Sequence, residues 1–440
     1  MLIMLISTHE RLDVLLGAQE EIRLMHGSEP SRDFHESKLA ESWRRASKAA
    51  AYQGLPEYSP GAFADLAVTP KGALKADPWS FTAVDLDGCA KYYETTGTSG
   101  SVTPTPRLFE DTVWNVVSVA QAWGRVLRPQ DRVAVLLPSD IVPVGDLAVG
   151  VCEYLDLPHS RIYPFATGIS DWDRLITMCQ SLRPTVLFVA PGLALQLTRL
   201  LKQRGRFESL SRSVRALMLL GEVSTPALRD RIGMWWDATV FDASYGSTET
   251  GTLAATCLEG QLHLLSATNY FELSSDGGAV PLTDGARGRL IVTPLNMHAR
   301  PLLRFDTGDD VVVGGGCACD DAAPVVTIHG RGTDGIRIHG ADLTVRDVED
   351  AVYRITTATG YLVEYDETGF YARLLLERDV STDRAVEATE QTALREEFRT
   401  GLGVEWDAVA HVNTLPTTTK SGGSQKSWKK SNTRIVERPA

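Results

Sequence analysis

Thr95-Thr96-Gly97-Thr98-Ser99-Gly100 gathers four hydroxyls and two glycines into six residues. Glycines let backbone N–H groups approach an anion, and hydroxyls add donors, so the segment suits a polyphosphate. It is not a Walker loop, because no Gly-Lys-Ser/Thr follows. The same composition also makes an ordinary surface loop. A second cluster is Ser244-Tyr245-Gly246-Ser247-Thr248-Glu249. The Tyr245 ring can stack on a base, and the Ser247 and Thr248 hydroxyls can bond phosphate or a substrate carboxylate. Glu249 can hold a Mg²⁺ that bridges phosphates. A strand-to-loop corner with a solvated Glu249 fits these residues equally well. A third set is Cys257, His263, Cys317 and Cys319. Three thiolates and one imidazole make a closed tetrahedral zinc pattern, although C-x-C is a weaker spacing signal than C-x-x-C.

The elements that must position these groups follow from periodicity. Leu108–Leu127 reads as a helix, with Val113, Val116, Val117, Ala120 and Trp123 on one face. Val133–Leu137, Thr185–Ala190, Val214–Leu220 and Ala238–Phe241 read as short buried strands. They alternate with helices over Trp172–Leu182, Leu193–Lys202 and Pro226–Trp235. Such alternation implies an α/β fold with a largely parallel sheet covered by helices. The 244–249 cluster then follows a strand at its carboxyl end, where open α/β sheets bind ligands. Past about residue 260 the pattern changes to short strands at His263–Leu265, Tyr270–Leu273, Gly288–Thr293 and Asp310–Val313, an antiparallel β-rich subdomain. From about 331 a small α+β unit begins. It has a strand Ile336–Ile338, a helix Val345–Ile355, a hairpin turning at Asp366–Gly369, and a long polar helix over Asp383–Leu402. Residues about 10–50 are charged and helical.

Composition excludes several classes. With 440 residues, 43% hydrophobic and 23% charged, the chain is neither disordered nor fibrous. Lys plus Arg is 44 against 56 Asp plus Glu, a net charge of −12, which argues against nucleic-acid or membrane-surface partners. Six apolar residues at the N-terminus are too few for a signal peptide, and no stretch is long enough to span a bilayer. We expect a cytoplasmic protein. Six cysteines are too sparse for a disulfide scaffold, and Cys89, Cys152 and Cys179 read as core residues.

Two further segments complete an ordered set. One is Pro301-Leu302-Leu303-Arg304-Phe305-Asp306-Thr307-Gly308-Asp309, and the other is Gly330-Arg331-Gly332-Thr333-Asp334-Gly335-Ile336-Arg337-Ile338-His339-Gly340. In this order the segments resemble the core motifs of the adenylate-forming enzymes, in particular the phenylacetate–CoA ligase-like branch, over about residues 90–430. The resemblance implies a large N-terminal adenylation domain, residues 1–330, with parallel sheets covered by helices plus a β-rich subdomain. Residues 331–440 would form a small α+β C-terminal lid. It implies that Thr95–Gly100 binds the phosphates of ATP, that Gly221 and Glu222 line the adenine pocket, and that Tyr245 stacks on adenine. It further implies that Glu249 carries Mg²⁺, that Asp309 holds the ribose hydroxyls, and that Arg331 lies near ribose and phosphate at the hinge. Gly340 falls in the lid loop that meets the thioester-forming partner in relatives. A carboxylate at Asp309 suits this role, because two vicinal hydroxyls need an acceptor with two oxygens. Some relatives in the branch carry a Cys/His zinc site at corresponding places, which supports the third set above.

The chain departs from the family pattern at two places. The hinge residue two positions after Arg331 is Thr333, with Asp334 next to it. The terminal Ser-Gly-Lys is replaced by Lys420-Ser421-Gly422-Gly423-Ser424-Gln425-Lys426. Lys426 is the expected adenylation lysine and Lys420 its alternative; a solvated basic tail would read the same way. Phe165, Leu193, Ser244 and Gly246 flank the expected acid pocket. The implied activity is ATP-dependent activation of an aryl or arylacetic acid, followed by transfer to coenzyme A. A carrier-protein thiol or an amine is the alternative acceptor, a homodimer is compatible, and a degenerate nucleotide-binding protein is the rival of another class.

Overall fold

A computed structural model describes residues 7–25, 28–95, 102–166, 168–275, 278–331, 335–380, 383–415 and 432–438. Two compact units are formed from interleaved chain segments, Met1–Arg161 with Asp242–Arg331, and Ile162–Phe241 with Gly332–Ala440.

The first unit opens with helices His9–Met25 and Arg32–Ala46. The second is started by Ser31, whose hydroxyl accepts from the Phe34 N–H at 3.2 Å. The expected helix after residue 108 runs Phe109–Trp123 and buries its apolar face, including Val113, Val117 and Trp123. The Trp123 indole donates to the Ala243 carbonyl at 2.9 Å, tying this helix to the start of the 244–249 cluster. Strands Val133–Leu136 and His159–Arg161 pair in parallel, with helix Val144–Tyr154 between them in the chain. That helix and the short strand after it are absent from the sequence reading above.

The β-rich subdomain is an eight-stranded sheet whose described pairs are antiparallel. Its order runs Gly278–Pro281, Asn269–Ser275, Arg287–Pro294, Phe305–Gly314, Val325–Arg331, Leu262–Leu264, Gly251–Thr256 and Ser244–Ser247. The candidate cluster therefore forms an edge strand of this sheet. One face is covered by N-terminal helices through a core of Trp43, Phe63, Leu74, Phe271, Val292 and Phe305, among others.

In the second unit, strands Val186–Val189 and Ala216–Leu219 pair in parallel and are buried along their whole length, as continuous apolar runs require. Helices Trp172–Leu182, Pro191–Gln203 and Pro226–Trp236 accompany them. The last is capped by Thr225 and has Pro226 in its first turn. The C-terminal segment contributes a four-stranded mixed sheet in the order Ala408–Val412, Ala372–Glu377, Gly360–Tyr365, Thr433–Ile435. It also contributes helix Val345–Ile355, opened by a reciprocal Thr344–Asp347 cap. The polar helix expected over Asp383–Leu402 is shorter: Glu387–Glu397 is α-helical and Phe398–Leu402 a wide turn. Gly403 at φ +67° closes it in the left-handed region, which glycine adopts freely.

This segment packs on its neighbours within the second unit through charged groups. Arg199 pairs with the fully buried Glu377, and Lys202 pairs with Asp379 at 2.5 Å. The Glu349 carboxylate accepts from the Thr225 N–H at 3.1 Å.

Candidate active site and metal cluster

Tyr245 and Asp309 come from distant stretches of the same sheet. The Tyr245 phenol donates to Asp309 Oδ2 at 2.9 Å. Its neighbour Gly246 sits at a bulge in the pairing of Ser244–Ser247 with Gly251–Thr256. A Cβ at Gly246 would lie 2.3 Å from the Gly251 carbonyl oxygen, so only glycine fits. The turn that follows is held by the Ser247 hydroxyl, 3.0 Å from Thr250 Oγ1 and accepting from the Thr250 N–H at 3.2 Å.

Glu249 is buried. Burial opposes its ionisation, but Lys71, its own backbone N–H, the Ser247 hydroxyl and Arg300 outweigh that effect. They hold the carboxyl below the ordinary glutamate range. A buried carboxylate kept ionised by cations is suited to a divalent metal.

Asp309 is placed by a web of backbone contacts. The Thr307 hydroxyl donates to the Leu290 carbonyl at 2.9 Å and accepts from the Asp309 N–H at 3.2 Å. Gly308 at φ +75° supplies the left-handed residue that the turn requires. Across the ladder, Asp309 is the register partner of Arg331. The Arg331 side chain lies outside the described residues.

Lys71 is a site residue that the sequence reading missed. Thr69 bridges Phe305, exchanging backbone hydrogen bonds with Arg304 and Asp306 at 2.8 and 2.9 Å. This places the Lys71 ammonium 3.1 Å from the Thr307 carbonyl. One cation therefore stands by the segment carrying Asp309 and is also the foremost charge favouring the Glu249 carboxylate. Nothing local in Val68-Thr69-Pro70-Lys71 announces it; the signal is a pairing of residues far apart in sequence.

The other expected residues fall as follows. Thr95 and Thr103 bond each other twice, N–H to carbonyl at 3.2 Å and Thr103 N–H to the Thr95 hydroxyl at 2.9 Å. Thr96, Gly97, Thr98, Ser99 and Gly100 lie outside the described residues, as do Thr333, Asp334, Lys420 and Lys426. Thr248 is a turn residue whose carbonyl accepts from Arg107 at 2.7 Å. Gly221 and Glu222 belong to the second unit, after strand Ala216–Leu219. There Gly221 has φ +89° and Glu222 accepts from the Gly192 N–H at 3.3 Å, at the start of helix Pro191–Gln203. In that unit Phe165 packs edge-on against Tyr163 and Trp172, and Leu193 is buried.

Cys257, His263, Cys317 and Cys319 meet at one point of the first unit, with all ligand atoms within 4.8 Å of one another. Cys257 Sγ is 3.7 Å from Cys317 Sγ, and Cys319 Sγ is 3.3 Å from His263 Nε2. Tetrahedral zinc with thiolates at the usual bond length separates two sulfurs by about 3.8 Å, so the cluster fits that ion. His263 Nδ1 lies 2.7 Å from the Ala323 carbonyl, the second contact that orients a metal-bound imidazole. The cluster joins the Cys257–Leu264 hairpin to the loop before strand Val325–Arg331.

No family model matches the chain. A phenylacetate–coenzyme A ligase of Aromatoleum evansii is 24% identical over 390 residues, covering 82% of this chain and 86% of that protein. The phenylacetate–coenzyme A ligase of Escherichia coli strain K12 is 22% identical over 355 residues, covering 77% and 79%. Among solved structures, 2-hydroxyisobutyryl-CoA ligase in its postadenylation state with 2-HIB-AMP superposes with a TM-score of 0.73. It is 18% identical and covers 98% of this chain and 90% of its own. Over most of its length the chain is therefore similar in sequence to phenylacetate–coenzyme A ligases and similar in fold to 2-hydroxyisobutyryl-CoA ligase.

Proposed function

We propose that the protein is an AMP-forming acid–coenzyme A ligase acting on an aryl or arylacetic acid. The observation that carries this reading is the meeting of Tyr245 with Asp309 at 2.9 Å. It joins an aromatic face for adenine to a two-oxygen acceptor for the ribose diol, and Lys71 and the buried Glu249 belong to the same unit.

The acid carboxylate attacks the α-phosphorus of ATP. A carboxyl oxygen–phosphorus bond forms, the bond to the β-phosphate bridging oxygen breaks, and pyrophosphate leaves. Two anions must approach each other in this step, so donors and cations have to offset the repulsion. Lys71 supplies a fixed cation, and Asp309 and Tyr245 fix the nucleoside. The thiol of coenzyme A, losing its proton, then attacks the acyl carbon and AMP departs. Bound at Glu249, Mg²⁺ would neutralise phosphate charge. Cys257, His263, Cys317 and Cys319 would hold a structural zinc with no open position and no chemical role.

In this reading residues 1–330 act as the catalytic body and 331–440 as a lid, with Lys426 supplying the cation for the first half-reaction. The protein works in the cytoplasm; among the described residues no helix is long and apolar enough to cross a membrane. Pyrophosphate release measured across a panel of acids tests the reading. Release with an aryl or arylacetic acid supports it, and no release with any aryl, alkyl or amino acid overturns it.

A further inference from the structure

Buried charges stand behind the nucleotide-facing groups and have no part in the chemistry above. Arg107 ends strand Pro104–Arg107. Its guanidinium donates to the Thr248 carbonyl at 2.7 Å and the Glu249 carbonyl at 3.2 Å, and meets Met297 Sδ at 3.0 Å. Arg300 is fully buried and donates to the Pro104 carbonyl and, at 2.8 Å, to Thr105 Oγ1. Asp111 completes the set. Its carboxylate accepts from the backbone N–H groups of Leu108 at 2.8 Å, His298 and Ala299 at 3.2 Å. Three stretches are thereby bracketed together: the strand Pro104–Arg107, the turn carrying Glu249, and the stretch that leads from Met297 to Asp309.

The bracket is an expensive construction. Burial and the neighbouring Arg107 push the Arg300 guanidinium down to about 9. Its Nε has no hydrogen-bond partner among the described residues. Buried ionic groups of this kind add little stability over well-packed apolar side chains, so stability alone does not explain them. Their geometry has a more specific consequence. Arg107 grips the main chain of Glu249 itself, and Arg300 grips Pro104 and Thr105 in the strand that ends at Arg107.

We propose that Arg107 and Arg300 are positioning residues for Glu249. Arg107 fixes its backbone through the Thr248 and Glu249 carbonyls, and Arg300 holds the strand that carries Arg107, so that metal-bound ATP is held at one setting relative to Asp309. The proposal rests on the ligase reading above. Neither arginine is assigned to touch nucleotide or acid.

Nucleotide binding, measured by titration calorimetry without any acid present, tests the proposal independently of turnover. Arg107→Lys and Arg300→Met should each weaken binding of MgATP about tenfold, the loss typical of groups that orient a metal ligand. Binding of ATP in EDTA should be unchanged in both. In a Glu249→Gln background, Arg107→Lys should add no further loss, because it acts through the carboxylate already removed. Where Arg300→Met fails to fold, Arg300→Lys carries the test, since it keeps the charge and loses the two-armed bridge. MgATP affinity unchanged in folded variants overturns the proposal. Equal losses with and without metal, or losses that add in the Glu249→Gln background, also overturn it. A wild-type chain that binds no ATP overturns the ligase reading and this proposal together, a result distinct from variants that match a nucleotide-binding wild type.

Discussion

The Tyr245 phenol donates to the Asp309 carboxylate at 2.9 Å, across a sheet whose strands carry these residues at its edge and in its middle. The bond fixes the aromatic ring beside the carboxylate that the proposed reading assigns to the ribose diol. Removing the hydroxyl by Tyr245→Phe keeps the stacking face and removes one charge-assisted hydrogen bond, an interaction worth about 1.5–3 kcal/mol. The KM for ATP in pyrophosphate release should rise about tenfold, since 1.4 kcal/mol is a factor of ten. The KM for the acid should stay constant. Equal changes in both would separate Tyr245 from the nucleotide.

Lys71 and Glu249 make a prediction about pH. The Glu249 carboxyl is held below its ordinary range, with burial opposing and Lys71 the foremost favouring charge. A carboxyl with a depressed pKa is competent above that pKa and loses competence as pH falls through it. Lys71→Met removes the favouring charge, so the acid limb of MgATP binding should move to higher pH. Binding measured from about pH 4 to pH 7, across the carboxylate range, checks this. A limb that stays in place would show that Lys71 does not act on Glu249.

Zinc analysis tests the Cys257–His263–Cys317–Cys319 cluster. Protein purified without chelator should carry one zinc per chain, and Cys319→Ser should lose it. The closed set would pin surface loops of the first unit, so metal loss should lower thermal stability and leave the KM for ATP nearly unchanged. Each kcal/mol lost corresponds to about 2–4 °C in Tm for a domain of 150–250 residues. Metal-free wild-type protein with unchanged Tm would contradict a structural zinc.

Lys426 is separable from the rest by half-reaction. Lys426→Ala should slow adenylation about a hundredfold or more, the loss expected when a group stabilising developing charge is removed. Thioester formation from supplied acyl-AMP should be spared. If both half-reactions survive in Lys426→Ala, the same assay on Lys420→Ala identifies the lysine.

Much of the fold was legible because it depends on local pattern. Val113, Val116, Val117 and Trp123 recur at helical spacing, and the helix Phe109–Trp123 buries them. The apolar runs around Val186–Val189 and Ala216–Leu219 are the buried parallel strands that such runs imply. The hairpin at Asp366–Gly369 was signalled by its turn residues, and Gly369 takes φ +72° there. Helix Val144–Tyr154 escaped because Pro138, Pro143 and two glycines dilute its pattern. Lys71 escaped for a different reason. Its position follows from Thr69 pairing with Phe305, and no local propensity encodes a contact 236 residues distant in sequence. The sequence reading singled out neither Arg107 nor Arg300; arginine is seldom fully buried, yet both are buried here.

The central claim is that this chain makes an acyl-adenylate and passes its acyl group to a thiol. Mass spectrometry of the products, with ATP, Mg²⁺ and an aryl or arylacetic acid supplied first without and then with coenzyme A, tests it most directly. The account predicts acyl-AMP and pyrophosphate in the first case, and acyl-CoA and AMP in the second. ATP recovered intact with every acid, under conditions where the protein is folded and binds nucleotide, would contradict it.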